Sequence, residues 1–122
     1  MHDLPVVLVV DDDADSRALL ELALSSSGYT VVTAVNGLDA LRTARRRPPH
    51  LILLDLAMPV MDGFAFRHEQ LRDELLAPIP VICVSGRHDA ATVARQLRVE
   101  ACIPKPFDLD VIVERVRAIV AV

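Results

Sequence analysis

Five short runs, VVLVV (6–10), TVVTA (30–34), LILLD (51–55), VICVS (81–85) and ACI (101–103), are wholly or mostly apolar. A strand with one wet face alternates apolar and polar side chains. A run that is apolar throughout has both faces buried, the condition of a parallel sheet covered by helices on each side. The segments between the runs carry helical periods. Asp15–Ser27 sets Ala18, Leu19, Leu22 and Ala23 on one expected stripe, with Gly28 as C-terminal cap. NGLDALRTARRR (36–47) aligns Leu38, Leu41 and Ala44 and stops at Pro48 and Pro49. Its closing arginines suit the helix macrodipole and need no ligand. Weaker periods predict helices over Phe64–Leu76 and Ala90–Leu97, and LDVIVERVRAIV (109–120) predicts a final one. Alternating strands and helices of this kind predict an α/β fold, a doubly wound five-stranded parallel sheet with five helices joined by right-handed crossovers. No repeat or linker interrupts the alternation, so 1–122 is expected to be a single domain. Ligands then belong beyond the carboxyl ends of the strands.

Composition closes off several alternatives. The 122 residues, 52% hydrophobic and 25% charged, are those of an ordinary globular chain and exclude a disordered one. A net charge of -4 gives no reason to expect nucleic acid as a partner of this domain. No apolar run reaches the roughly 18 residues of a membrane span, and MHDLP lacks the features of a signal peptide, so a soluble cytoplasmic protein without membrane contact is expected. Cys83 and Cys102 sit in apolar contexts without metal-ligand spacing and are expected to be buried, reduced thiols. The four histidines lack metal spacing and are expected on the surface.

Chemistry gathers at the strand ends. Asp11, Asp12 and Asp13 follow the first run, Asp55 closes the third, Ser85 the fourth, and Lys105 lies just past the fifth. If the first and third strands are neighbours at the switch point, their carboxylates crowd together and cannot all stay ionised without a cation. Mg²⁺ suits a site of few carboxylates and open water positions. A metal there would make Asp55 a nucleophile toward phosphorus, forming an aspartyl phosphate. Ser85 could then donate to a phosphoryl oxygen and Lys105 pair with another. Asp13 and Asp15 fit better as helix N-terminal caps than as ligands.

The stretches LVVDDD with Arg17 downstream, GYTVVTAVNGLDAL, PHLILLDLAMPVMDGF, IPVICVSG and PKPF, in this order, closely resemble the receiver domains of two-component response regulators. The resemblance implies a flavodoxin-like sheet with strand order 2-1-3-4-5. It implies Asp55 as phospho-acceptor, Asp12 as direct Mg²⁺ ligand and Asp11 as a ligand mainly through water. The backbone carbonyl of Ala57 would be a further ligand, Ser85 the switch hydroxyl and Lys105 the phosphate-pairing lysine. Pro106 would follow a cis peptide bond. The donor would be a histidine kinase or histidine phosphotransfer protein. The receiver would catalyse its own phosphorylation and dephosphorylation and thereby switch protein-protein contacts, without being an enzyme in the ordinary sense.

Three other readings compete. Asp11, Asp13 and Asp15 begin like a calcium-binding EF-hand loop, but Ser16 stands at the turn-glycine position and Leu22 at the closing glutamate, so that reading fails. A haloacid-dehalogenase-type phosphatase would use Asp11 as nucleophile with Asp13 beside it, yet 122 residues leave little room for its cap. A phosphorylation-independent interaction module on the same fold is the third. Departures from the family pattern cluster near the C-terminus: Arg98 and Val99 replace a usual Gly-Ala pair, Cys102 a usual switch aromatic, and Pro104 precedes Lys105. Pro104 predicts an edge strand. Cys102 is expected to be a passive filler, the loop at 85–91 to carry the response to phosphorylation, and Lys105 to be an exposed side chain that gains its phosphoryl partner only after Asp55 is modified.

Overall fold

A computed structural model describes residues 3–58, 60–86 and 90–122. In chain order the elements are β1 (Val6–Val10), α1 (Ala14–Ser26), β2 (Thr30–Ala34), α2 (Gly37–Arg46), β3 (Leu51–Asp55), α3 (Gly63–Leu71), β4 (Val81–Ser85), α4 (Ala90–Leu97), β5 (Ala101–Pro104) and α5 (Leu109–Ile119). The five strands form one parallel sheet in the order β2-β1-β3-β4-β5.

Burial follows position in the sheet. The central strands β1, β3 and β4 are buried at every residue, whereas the edge strands β2 and β5 are only partly so. Successive side chains go to opposite faces. Val7, Val9, Leu51, Leu53 and Ile82 face Leu20 and Leu24 of α1 and Ile112 and Val116 of α5. Leu8, Val10, Ile52, Leu54 and Cys83 face Ala40, Leu41 and Ala44 of α2, Phe66 of α3 and Val93 of α4. Pro104 ends β5, which pairs only with β4, so its missing N–H breaks no ladder.

The expected stripe of α1 is wrong by part of a turn. Leu19 and Leu22 are exposed, at 53% and 66%, while Leu20 and Leu24 are buried. ALLELAL offers apolar residues in more than one helical phase, and anchoring at the helix start selects between them. Asp13 caps the helix by accepting from the Ser16 N–H at 2.9 Å, and Arg17 Nη1 donates to the Asp11 carbonyl at 2.8 Å. Gly28 ends the helix as expected: at φ 101° it lets its own N–H reach the Ser25 carbonyl and the Tyr29 N–H reach the Leu24 carbonyl. In α2 the buried stripe is Ala40, Leu41 and Ala44, with Leu38 exposed at the first turn. Asp15 lies in the first turn of α1 rather than capping it.

Helix α3 stops at Leu71, short of the expected Leu76. Asp73 diverts the chain, its Oδ1 accepting from the Leu75 N–H at 2.9 Å and its Oδ2 from Arg45 Nε at 2.9 Å. An aspartate that bonds the backbone two residues on offers the chain a turn in place of another helical turn. Cys102 is only half-buried, because β5 is an edge, whereas Cys83 is buried as expected. His50 and His68 are exposed; the expectation for His2 and His88 falls outside the described residues.

Arg67 is a buried cation that sequence periodicity did not single out. Its Nε donates to the Leu97 carbonyl at 3.0 Å, Nη2 to the Arg98 carbonyl at 2.7 Å, and Nη1 to Gln70 Oε1 at 2.8 Å. Gln70 Nε2 in turn donates to the Leu76 and Ile79 carbonyls, each at 3.0 Å. The clasp joins α3, the end of α4 and the turn before β4. It also bears on the Gly-to-Arg departure, since Arg98 holds a left-handed φ of 56° in which a side chain is strained. Replacing Arg67 by Met, which keeps the apolar stem but no donors, should cost on the order of 3 kcal/mol. Urea unfolding would read this as a lower midpoint with an unchanged m-value.

Candidate functional site

Register brings the chemistry together. Val10 of β1 is opposite Leu54 of β3, so one step further Asp11 stands beside Asp55 at the switch point of the sheet. Asp55 is opposite Val84, and Ser85 opposite Pro104, which sets Lys105 one step past the end of β5. The Lys105 N–H donates to the Ser85 carbonyl at 2.8 Å, fixing the lysine where the strand ends. The Lys105–Pro106 bond is cis, as expected.

Asp11 and Asp55 are almost fully buried and Asp12 is exposed. Each of the three offers an oxygen, and these oxygens lie within 4.8 Å of one another. Asp11 Oδ1 accepts from the Asp13 N–H at 2.9 Å, and Asp55 Oδ1 from the Ala57 N–H at 3.2 Å. Burial raises the Asp11 carboxyl above its ordinary range, and the charges of Asp55 and Asp12 raise it further against the lowering effect of the Asp13 N–H and Lys105. A hard, oxygen-seeking divalent cation fits this donor set. Asp13 does not join the cluster. It is exposed, its carboxylate is taken up by the helix cap, and the bond from Ser16 holds its carboxyl below the usual range. The phosphatase reading, which pairs Asp11 with Asp13, loses its second residue there.

Lys105 departs from expectation. It is one-third exposed, and Nζ already lies 3.1 Å from Asp55 Oδ2, so it has a partner before any phosphoryl group arrives. Ser85 is buried beside it. The loop expected at 85–91 includes 87–89, which lie outside the described residues.

Two positions in the segment that follows Asp55 were not singled out from the sequence. Gly63, at the start of α3, donates its N–H to the Leu56 carbonyl at 3.0 Å. A Cβ there would fall 2.7 Å from the Leu56 Cα and 3.0 Å from the Asp55 carbonyl oxygen, so any side chain would push α3 off the loop that follows β3. Val60, in the same loop, holds φ 70° with its side chain 80% exposed, an unfavourable conformation for a β-branched residue. The glycine of MDGF was the legible signal; nothing in the sequence marks Val60.

A doubly wound sheet with clustered carboxylates and a lysine at its carboxyl-end edge forms a site whose acidic groups could hold a metal ion. Residues 7–117 match the family described as response regulator receiver domain, and the chain belongs to that family. It is a receiver domain of two-component signalling, a regulatory domain. It is similar to the transcriptional regulatory protein PrrA of Mycobacterium tuberculosis, 38% identical over 94% of this chain and 49% of that protein. It is also similar to the DNA-binding transcriptional regulator NtrC of Escherichia coli, 36% identical over 86% of this chain and 22% of that protein. The chain thus spans half or less of these relatives. A putative response regulator from Chloroflexus aurantiacus superposes with a TM-score of 0.89 at 26% identity, covering 98% of this chain and all of that one. Chemotaxis protein CheY4 of Vibrio cholerae shares the fold, with a TM-score of 0.89 at 24% identity over 97% of this chain and 100% of that one. Among the described residues no helix is long and apolar enough to cross a membrane.

The raised Asp11 carboxyl has a definite sign. Its folded value exceeds the 3.8 of an unperturbed aspartate, so its contribution to stability is present below that value and lost as pH rises through the raised one. Asp11→Asn, which keeps an acceptor for the Asp13 N–H, should therefore stabilise the metal-free protein at neutral pH by roughly 1 kcal/mol. Thermal melts in EDTA should show the gain, and melts with Mg²⁺ should show a smaller metal-induced rise than in the unaltered chain. Lys105→Ala should act the opposite way without metal, lowering stability by about 1 kcal/mol through the loss of the partner of Asp55. Added Mg²⁺ should recover most of that difference.

Proposed function

We propose that Asp55 accepts a phosphoryl group from a histidine kinase or histidine phosphotransfer protein, and that the modified receiver switches its protein contacts. The observation that carries this reading is the convergence of Asp11, Asp12, Asp55 and Lys105 at one edge of the sheet. Asp11, Asp12, Asp55 and the backbone carbonyl of Ala57 would hold Mg²⁺. When bound, the ion neutralises the charge that gathers on the phosphoryl oxygens during transfer.

The chain's own groups then have distinct tasks. Asp55 supplies the attacking carboxylate oxygen, presented from the end of a buried strand whose packing fixes its direction. Phosphorylation leaves Asp55 bearing a larger, more negative group, and Lys105 transfers its ion pair from carboxylate to phosphoryl oxygen. Ser85 donates its hydroxyl to another of those oxygens, a charge-assisted bond that exists only in the modified state. Hydrolysis of the acyl phosphate by water at the same site returns the receiver to its starting state. The 122 residues act as one receiver unit, and its effects reach whatever protein reads the altered surface.

Incubation with acetyl phosphate and Mg²⁺, followed by mass-spectrometric mapping, tests the reading. One labile phosphoryl group is expected on Asp55, absent from Asp55→Asn and retained, though formed more slowly, in Ser85→Ala. A label on Asp11 that survives Asp55→Asn would restore the phosphatase alternative, and no label on the folded chain would favour a phosphorylation-independent module.

A further inference from the structure

Cys83 and Cys102 are direct register partners on β4 and β5. Register partners on adjacent parallel strands share a sheet face at about 4.8 Å spacing, and both residues pack on the same side of this sheet. That spacing falls within the roughly 4.4–6.8 Å Cα separation that a disulfide spans. The two side chains interact, and neither cysteine is in a disulfide. They differ in access. Cys83 is wholly buried, whereas Cys102 lines an open cavity of about 320 Å³ bounded by Glu100, Pro104, Val111 and Arg115.

We propose that Cys83 and Cys102 form a peroxide-reactive dithiol that closes to a reversible disulfide between β4 and β5. The sulfur of Cys102, the less buried of the two, attacks one oxygen of a hydroperoxide. The S–O bond forms, the O–O bond breaks, and the departing oxygen takes a proton to leave as alcohol, or as water from hydrogen peroxide. Cys102 is left as a sulfenic acid. The Cys83 sulfur then attacks Cys102, the S–S bond forms, and the hydroxyl leaves as water with the Cys83 proton. Two thiols are oxidised by two electrons and one peroxide is reduced.

Access and chemistry agree on this order of events. Burial pushes the Cys83 thiol up and makes it the poorer first nucleophile, so the less buried Cys102 reacts first and Cys83, its register partner, is the thiol within reach to resolve it. Closing the bond requires the Cβ atoms to approach to about 3.8 Å. β5 can make that movement because it has a strand on one side only. A disulfide held by a displaced edge strand is strained and correspondingly easy for small thiols to reduce. The reaction involves neither Asp55 nor the acidic cluster, so it stands apart from the proposed phosphoryl chemistry.

The fully reduced chain, treated with hydrogen peroxide, denatured with an alkylating agent and digested without reductant, provides the test. Both thiols should be lost together, with a linked peptide pair containing Cys83 and Cys102, a monomer on non-reducing gels, and recovery of both thiols with dithiothreitol. Cys83→Ala should stop at the sulfenic acid of Cys102, trapped by dimedone, while Cys102→Ser should leave Cys83 reduced. Asp55→Asn should form the disulfide like the unaltered chain, which separates failure here from failure of the phospho-acceptor reading. Sulfinic acid on Cys102 with Cys83 still reduced, disulfides only between chains, or unreacted thiols in the unaltered protein would each overturn the proposal.

Discussion

The crowding of carboxylates at the end of a sheet buried on both faces is the constraint around which the rest of the molecule is arranged. Asp55 is 4% exposed, and its own strand pins it there, since Leu51 to Leu54 are packed against helices on both sides. A buried carboxylate beside Asp11 is costly unless a cation answers it. Lys105 answers from the far side of β4 at 3.1 Å, and the backbone bond from Lys105 to Ser85 keeps it within reach. Among the described residues, Lys105 is the cation that meets the carboxylates of Asp11, Asp12 and Asp55. A divalent ion has a favourable place to enter, and a phosphoryl group would have a cation waiting.

Support for that edge comes from glycine and from polar contacts away from it. Gly63 allows α3 to start against the backbone of Leu56, closing the loop that follows Asp55. Further out, Arg67 and Gln70 tie α3 to the end of α4 and to the turn before β4. A guanidinium that satisfies helix-end carbonyls holds α4 at its C-terminal end. Any rearrangement begun at Ser85 therefore meets a helix fixed at its far end. The unusual Arg98 falls within this clasp rather than on a free surface turn.

The opposite edge of the sheet is organised differently. β5 is short, ends in Pro104 and is held by a neighbouring strand on one side only. Cys102 on that strand lines a cavity together with Pro104, Val111 and Arg115. Two chemistries meet on β4 and β5: the proposed phosphoryl contacts of Ser85 and Lys105 at the strand ends, and the dithiol two and three residues earlier. A crosslink between the strands would constrain the same pair of elements whose ends carry Ser85 and Lys105.

Strand number, the parallel sheet and the acidic cluster were all legible in the sequence, because burial on both faces leaves a continuous apolar run and a strand ending at the switch point must present whatever follows it. That ground put Asp11, Asp12, Asp55, Ser85 and Lys105 at one edge of the sheet, and the strand order implied by the family resemblance made them neighbours. The helical phases were not legible in this way. ALLELAL is compatible with several buried stripes, and only the Asp13 cap, the Arg17 bond and the sheet beneath selected Leu20 and Leu24. The end of α3 depended on whether Asp73 would bond its own backbone, a local competition that periodicity does not register. The Lys105–Asp55 pair, the Arg67 clasp and the alignment of Cys83 with Cys102 were decided by tertiary structure. Each joins residues distant along the chain at separations set by strand register and helix packing, which local sequence pattern leaves undetermined.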